Sequence, residues 1–532
     1  MKKTLGAELS HYLKSKGVDI IFGIPGVHNQ ELYRGIEEAG IQHILARHEQ
    51  GAGFMADGFS RATGFPGVAY VISGPGICNI MTPMGQAYSD SVPMLVISSA
   101  LDESILERGR GRLHEMKDQR LAAETVCDWS EIANDDMQAY DLIDKAFLEF
   151  RTQRKRPKHI QVPIRLLESK VKPYSEKRIE LSTEIEAEID PNLSVVKDLF
   201  QDNPKVMFIF GGGATHCATL ARKVLSKLNA ASFSTFSGRG IISPEDKLSF
   251  GSYLSRKLSI KPISEAEVVI AVGTSLSEVD IWRKTLGTTG RFIWVNSDSE
   301  AFSDEVGSHE RVICDSELFL RHVLDNTTEN ISKHWMENEV SDFKRKCELE
   351  VSVDRPGIVP LCHALRDCTP DNTIFFSDMT QFAYVAKEVI TMPAPNLWHH
   401  PYGFGTLGYA LPAAIGAAVG KPDDPIVVIV GDYGFQYTLP ELATAVELNL
   451  SLPIVLWDNG KLKEIEDSML SSQIAPNAVI SKNPNFSKLA EAYGIAFAEP
   501  ESIKDFQSSI SEAFSRDGPT LIYIKSEIDF QD

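Results

Sequence analysis

Short continuous apolar runs alternate along the chain with longer segments in which apolar residues recur at spacings of three and four. The runs Ile20–Ile24, Ile41–Leu45, Val68–Ile72 and Met94–Ser98 occupy the first part, Val206–Phe210 and Val268–Val272 the middle, and Thr373–Ser377, Ile426–Val430 and Pro453–Trp457 the last. Runs of this length suit strands covered on both faces, and the intervening period suits helices with one buried stripe. Glu49–Thr63, for example, places Ala52, Met55, Ala56 and Phe59 on one helical face. Helices are also expected from the N-terminus to Lys16 and over Gln30–Ala39, with a polar helical stretch over Glu317–Glu350. Repeated strand–helix order predicts an α/β fold of three doubly wound parallel-sheet domains, residues 1–168, 190–330 and 356–532, with the charged, aperiodic segment 168–190 as a linker.

The stretch Ile426–Asn459 concentrates the candidate chemistry. It reads strand, helix, strand, with Leu439, Leu442, Ala443 and Val446 giving the middle segment one apolar stripe. Asp432 and Asn459, 27 residues apart, then fall just past the carboxyl ends of two strands, the edge at which open α/β sheets bind ligands. A carboxylate and an amide oxygen are hard ligands suited to Mg²⁺ or Ca²⁺, with phosphate oxygens and water completing the shell. Glycines around Asp432 would let backbone N–H groups approach a diphosphate. Gly-Asp-x-Gly after a strand is also an ordinary βα turn, and Asn459 in register is what favours the metal.

With 532 residues, 43% of them hydrophobic, the chain can bury several cores. Its net charge of −20 argues against nucleic acid or an anionic membrane as a partner. Seven cysteines without CxxC spacing read as reduced, buried thiols. The N-terminal MKKTLGAELSHYLKSKG lacks an apolar core of signal length, and no apolar run reaches the ~18 residues of a membrane span. The expected location is therefore cytoplasmic. In the middle domain Gly211-Gly212-Gly213 lacks the GxGxxG order of a dinucleotide loop, so tight turning is expected there ahead of nucleotide binding.

Gly431-Asp432-Tyr433-Gly434 followed by Asn459 resembles the metal-diphosphate motif of thiamine diphosphate enzymes, in which the residue two beyond the Asn, here Lys461, lends its carbonyl to the metal. Tyr433 stands where that family usually carries a second glycine, and Gly434 follows it. Arg47-His48-Glu49-Gln50 and the succeeding GAGFMADGFSRATGFPGV resemble the segment whose carboxylate activates the aminopyrimidine, a role that would fall to Glu49. The alternative is a first-turn acid favoured by the helix N-terminus. Gly405-Thr406-Leu407-Gly408-Tyr409 with Leu411-Pro412-Ala413-Ala414 resembles the segment that bends the cofactor: Leu407 would be the wedge, and the Gly405 carbonyl would accept from the aminopyrimidine. Thr380 and Gln381 fall where the family contacts the diphosphate, and Pro25-Gly26 where a turn approaches the cofactor. The resemblance covers nearly the whole chain. It implies thiamine diphosphate with Mg²⁺ or Ca²⁺, and a homo-oligomer, at least a dimer and commonly a tetramer, because the family's cofactor lies between the first domain of one subunit and the third of another.

The reaction turns on what captures the carbanion left when a 2-oxo acid loses carbon dioxide. In Gly111-Arg112-Leu113-His114-Glu115, His114 falls where pyruvate decarboxylase-like members place the first histidine of a pair and acetolactate synthases carry Gln; Glu115 replaces the second histidine. His28, in GIPGVH, is another candidate, and either histidine is open to a surface or helix-capping role. Histidines relay protons near neutral pH, and capture by a proton gives an aldehyde. The middle domain carries Gly273-Thr274-Ser275-Leu276-Ser277-Glu278-Val279-Asp280 in place of the Arg-Phe-Asp-Asp-Arg run of flavin-binding acetolactate synthases, which argues against FAD. GIPGVH, GRGRLHE, GDYGFQ and WDNGKLKEIEDSM are similar to 5-guanidino-2-oxopentanoate decarboxylase-like members. Glu464 and Glu466, just past the metal loop, are candidate partners for such a cationic substrate, or an ordinary acidic helix start. The expected activity is non-oxidative decarboxylation of a 2-oxo acid using Glu49, His114 and His28. Acetolactate synthase-like carboligation is the second reading, and a non-catalytic cofactor-binding subunit the third.

Overall fold

A computed structural model describes residues 2–102, 109–172, 199–200, 202–327, 334–480 and 482–526. After β1 (Lys3–Thr4), the strands β2 (Ile20–Gly23), β3 (Gln42–Leu45), β4 (Gly67–Val71), β5 (Met94–Ala100), β6 (Trp129–Ile132) and β7 (Lys158–Pro163) form a parallel sheet in the order β3-β2-β4-β5-β7-β6. β8 (Lys170–Val171) returns to pair antiparallel with β1. The second parallel sheet takes β9 (Val206–Phe210), β10 (Ala231–Ser234), β11 (Val268–Val272), β12 (Arg291–Asn296) and β13 (Glu310–Ile313) in the order β10-β9-β11-β12-β13. The third takes β14 (Ile374–Ser377), β15 (Trp398–His399), β16 (Ile426–Gly431), β17 (Pro453–Asp458), β18 (Ala496–Ala498) and β19 (Thr520–Lys525) in the order β15-β14-β16-β17-β19-β18, again all parallel. Three doubly wound sheets is the architecture expected from the apolar pattern.

In each sheet the second strand lies outside the first and the third crosses to its other side. A crevice therefore opens at the carboxyl ends between β2 and β4, between β9 and β11, and between β14 and β16. The middle crevice is filled by its own backbone. Gly213 N–H donates to the Gly273 carbonyl at 2.8 Å, and a Cβ on Gly211 would lie 2.4 Å from the Thr274 Cβ. The triple glycine thus lets two loops touch.

The first and third sheets share one hydrophobic core, in which Phe22, Ile44 and Val71 join Phe376, Val428 and Leu456. Two helices meet at its centre. Glu49–Thr63 comes from the first domain, and Ala410–Gly420, apolar on almost every face, from the third. Their backbones touch because glycines stand at the crossing: a Cβ on Gly58 would lie 1.9 Å from the Ala413 carbonyl oxygen, and one on Gly416 the same distance from that of Met55. Tyr409 OH donates to buried Asp57 at 2.8 Å across the same boundary, and the Arg61 guanidinium bonds both Asp57 and Asp90.

Several expected elements differ in extent. The helix expected over Gln30–Ala39 covers only Gln30–Tyr33, because Gly35 packs directly on the Ala7 backbone. The polar stretch from Glu317 divides into Ser316–Asn326 and Glu337–Asp354. Of the expected linker, 168–172 includes β8, and 173–190 lies outside the described residues. No disulfide joins any of the seven cysteines, but Cys78 is exposed and Cys368 half-buried instead of buried. Among the described residues no helix is long and apolar enough to cross a membrane.

Replacing Gly416 by Ala should push the two central helices apart, at a cost of about 1–3 kcal/mol. Urea unfolding of the variant should show a lower midpoint, and an unchanged midpoint would mean that the crossing has slack.

Candidate active site

The register of the third sheet sets Ser377 beside Ile429 and Gly431 beside Trp457. The segments Asp378–Gln381, Asp432–Gly434 and Asn459–Lys461 consequently leave neighbouring strand ends at one crevice. Burial pushes the Asp432 carboxyl up to about 6, and the charge of Asp458 adds to the shift; the side chain that meets it is neutral Asn483, donating at 2.7 Å. Asn483 also donates to Asp458, which in turn accepts from Tyr523 OH. Asn459 is oriented by Gln381: its Nδ2 donates to Gln381 Oε1 at 3.1 Å, and its Oδ1 accepts the Lys461 N–H at 3.2 Å. A buried anion beside an amide oxygen fits a hard divalent cation. Among the described residues no group of three His, Cys, Asp or Glu is arranged to hold a metal. A cation here would therefore take Asp432, the Asn459 oxygen and the Lys461 carbonyl, with ligand and water oxygens completing the shell. Thr380 is buried at the start of the helix Gln381–Val389, and a Cβ on Gly431 would lie 3.0 Å from its hydroxyl. Tyr433 stands without backbone strain, and Gly434 has no positive φ. Gly434 supplies room, since a Cβ there would lie 2.8 Å from Asp378 Oδ2.

Leu407 sits between two left-handed glycines, Gly405 at φ 67° and Gly408 at φ 83°. Half-buried, it belongs to none of the four hydrophobic clusters, so the role of plain core residue does not describe it. Its loop is suspended from both flanks. On the upstream side, Asp90 accepts the N–H groups of Tyr402 and Gly403 at 3.2 and 2.8 Å, and Gln86 accepts that of Thr406 at 3.4 Å. On the downstream side, Asp378 accepts the Gly408 N–H at 2.8 Å while Thr438 OH donates to the Gly408 carbonyl at 2.8 Å.

At the first sheet, the crevice between β2 and β4 gathers the other candidates. Glu49 opens its helix and accepts from Asn79 Nδ2 at 2.8 Å. The turn Pro25-Gly26 is held by buried Asn29, whose Oδ1 accepts the Gly26 N–H at 2.7 Å and whose Nδ2 donates to the Ile24 carbonyl. His28 Nδ1 lies 2.8 Å from the Ser73 hydroxyl, and its ring meets that of His114 edge-on with centroids 4.7 Å apart. Burial, then the nearby His114 and Arg112, hold His28 below the usual imidazole range. His114 has its backbone at φ 61°, and its Nδ1 is buried without a hydrogen-bond partner. Glu115 caps its own loop, accepting the N–H groups of Gly109 and Arg112.

Glu441 joins the two edges in sequence terms. It follows the Asp432 turn, yet its buried carboxylate accepts the backbone N–H groups of Arg47 and His48, each at 3.0 Å, directly before Glu49. A Cβ on Gly51 would collide with it. Within one chain the candidate groups themselves stay in two clusters. Among the described residues, no hydrogen bond, ion pair or ring contact links Glu49, His28 or His114 to Asp432, Asn459 or Leu407.

One expectation needs revision, and one pair of candidates already has partners. The segment after Asp432 is not one helix but two, Asp432–Tyr437 and Glu441–Glu447, because Pro440 cannot supply the N–H that continuity requires and Thr438 is drawn to Gly408. Glu464 and Glu466 are not free carboxylates: Arg355 bonds both oxygens of Glu464 at 3.1–3.2 Å, and Lys461 and Lys463 pair with Glu466. Asp378, Asp90, Asn29, Asn483 and Glu441 escaped the sequence reading. Lone acids and amides outside a motif carry no local signal, and, except for Asn29, which bonds Gly26 and Ile24, each has a partner far off along the chain.

Comparison with known proteins matches three consecutive family domains: residues 3–121 to the thiamine pyrophosphate enzyme N-terminal TPP binding domain, 193–323 to the central domain, and 378–524 to the C-terminal TPP binding domain. A Pseudomonas aeruginosa protein named as a probable 2-ketoarginine decarboxylase, AruI, is 37% identical over 98% of this chain and 94% of its own length. The acetolactate synthase isozyme 1 large subunit of Escherichia coli is 25% identical over 98% and 94%, and a probable acetolactate synthase large subunit of Methanococcus aeolicus 28% over 96% and 90%.

Glu441→Ala strips the acceptor from two backbone N–H groups at a domain boundary and should cost about 1–3 kcal/mol in urea unfolding. Glu441→Gln, which keeps one acceptor oxygen, should lose clearly less. Equal losses would assign the effect to packing.

Proposed function

Because the chain belongs to the thiamine pyrophosphate enzyme family, we propose that it decarboxylates a 2-oxo acid non-oxidatively to an aldehyde, with thiamine diphosphate and Mg²⁺ or Ca²⁺ as cofactors. The bound cofactor supplies the electron sink for the carbanion that forms as carbon dioxide leaves. Asp432, Asn459 and the Lys461 carbonyl hold the cation, and Thr380 and Gln381 flank the diphosphate. Leu407 would support the cofactor from below, the Gly405 carbonyl would accept from its aminopyrimidine, and Glu49 would hold a proton at the ring nitrogen. Pro25-Gly26 forms the adjoining wall.

The observation that carries decarboxylation is the histidine pair. His28 and His114 stand with ring centroids 4.7 Å apart, His28 beside Ser73, and as a pair they would supply the proton that captures the product carbanion. The substrate we infer is 5-guanidino-2-oxopentanoate, which is 2-ketoarginine, the compound in the name of the relative that is 37% identical. Glu464 and Glu466 would recognise its guanidinium only by giving up Arg355, Lys461 and Lys463. Carboligation of the acetolactate synthase type is the second reading, favoured by relatives that carry that name over nearly the whole chain. The separation of the Glu49 and Asp432 clusters within one chain supports a site completed by a second copy, hence at least a dimer.

Asp432→Ala should abolish metal-dependent binding of thiamine diphosphate in calorimetry, and wild-type affinity without metal would remove Asp432 from the site. Mixing Asp432→Ala with Glu49→Gln subunits should restore part of the activity that each variant lacks. Steady-state kinetics should favour 5-guanidino-2-oxopentanoate over pyruvate by about tenfold or more, since charge-assisted contacts in a partly dry pocket supply ~1.5–3 kcal/mol. Pyruvate turned over best, with acetolactate accumulating, would install the second reading.

A further inference from the structure

Asp378 is fully buried at the carboxyl end of β14 and has no cationic partner among its hydrogen-bonding groups. Its Oδ1 accepts the Met379 N–H at 2.7 Å and its Oδ2 the Gly408 N–H at 2.8 Å, and the N–H groups of Tyr409 and Ala410 also point to it. One carboxylate thereby collects the amides that end the loop bearing Leu407 and begin the helix Ala410–Gly420. The same Oδ2 explains Gly434, whose missing Cβ leaves only enough room for that oxygen. Asp378 therefore touches, or is continuous with, three pieces of the site: Thr380-Gln381 along its own chain, Leu407 through Gly408, and the Asp432 turn through Gly434.

We propose that Asp378 is the positioning residue that sets the height of Leu407 relative to the Asp432 turn. The inference rests on the thiamine diphosphate reading. Gly408 is left-handed, and a Cβ there would lie 2.7 Å from that of Tyr437, so the loop has no room on the Tyr437 side. Asp378 on one side and Thr438 on the other leave Gly408 a single position. Leu407, one residue away and outside the packed clusters, takes its place from that clamp. Losing the carboxylate frees the loop without touching Asp432 or Asn459, so the anchor and the wedge come apart.

The test uses full-length Asp378→Asn and Gly434→Ala, the second of which keeps every donor and crowds the carboxylate instead. In the protein without cofactor, hydrogen exchange followed by mass spectrometry should rise about tenfold or more over the peptide containing residues 405–409 in Asp378→Asn, with β17 unchanged. With saturating thiamine diphosphate and Mg²⁺, exchange of the thiazolium proton should slow by about tenfold in both variants while calorimetric affinity for the cofactor changes far less. Wild-type exchange of the thiazolium proton at saturation overturns the proposal, as does loss of affinity in step with rate. If Asp378→Asn does not fold, Gly434→Ala alone decides by the same two outcomes. Glu49→Gln is run in parallel: should it too exchange at the wild-type rate, the thiamine diphosphate reading itself has failed, whereas a slow Glu49→Gln beside fast Asp378 and Gly434 variants removes only the positioning role.

Discussion

Backbone amides at the carboxyl ends of parallel strands leave the ladder before any helix has taken them up, and a buried amide must find an acceptor or cost about 1–3 kcal/mol. In this chain buried carboxylates do much of that work. Asp378 takes Met379 and Gly408, Glu441 takes Arg47 and His48, and Asp90 takes Tyr402 and Gly403. Each of these loops carries or adjoins a residue of the candidate site, so the acids that satisfy the backbone also fix the geometry of the chemistry.

The carboxylates hold only because the bodies they join do not move apart. The crossing of Glu49–Thr63 with Ala410–Gly420 buries glycine against carbonyl at Gly58 and Gly416, and the surrounding core draws residues from both sheets. Glu441 reaches Arg47 across that contact, and Asp90 reaches the loop of Leu407 across it in the other direction. Packing therefore comes before polar positioning: a carboxylate cap is useful only when its donor arrives at hydrogen-bonding distance every time. Burial then raises the cost of failure, since it pushes Asp378 and Asp432 each up to about 6 and leaves them dependent on their donors or on a cation.

The sheets were legible because buried parallel strands write themselves as short apolar runs; Val206–Phe210, Val268–Val272 and the helix Glu49–Thr63 fall where the pattern puts them. The position of Asp432 and Asn459 at one edge was legible from two strand ends and a fixed spacing, whereas the contact between His28 and His114 was written in neither local segment. The break at Pro440 was written in the sequence but lost beneath an unbroken apolar stripe. Asp378 and Glu441 were not legible, since a cap that serves an amide tens or hundreds of residues away leaves no periodicity. Nor was the pairing of Glu464 with Arg355, a contact 109 residues apart that decides whether a carboxylate is free.

His114 holds a left-handed backbone conformation, φ 61°, which glycine adopts freely and a residue with a Cβ adopts at a cost of roughly 1–2 kcal/mol. The imidazole is thus carried on a strained peptide. Relaxing that strain and discarding the ring are one and the same substitution, to glycine. Any selection for a hardier protein that ignores turnover would be drawn to this position, and the variants it recovered would have given up the ring on which the proposed proton transfer depends.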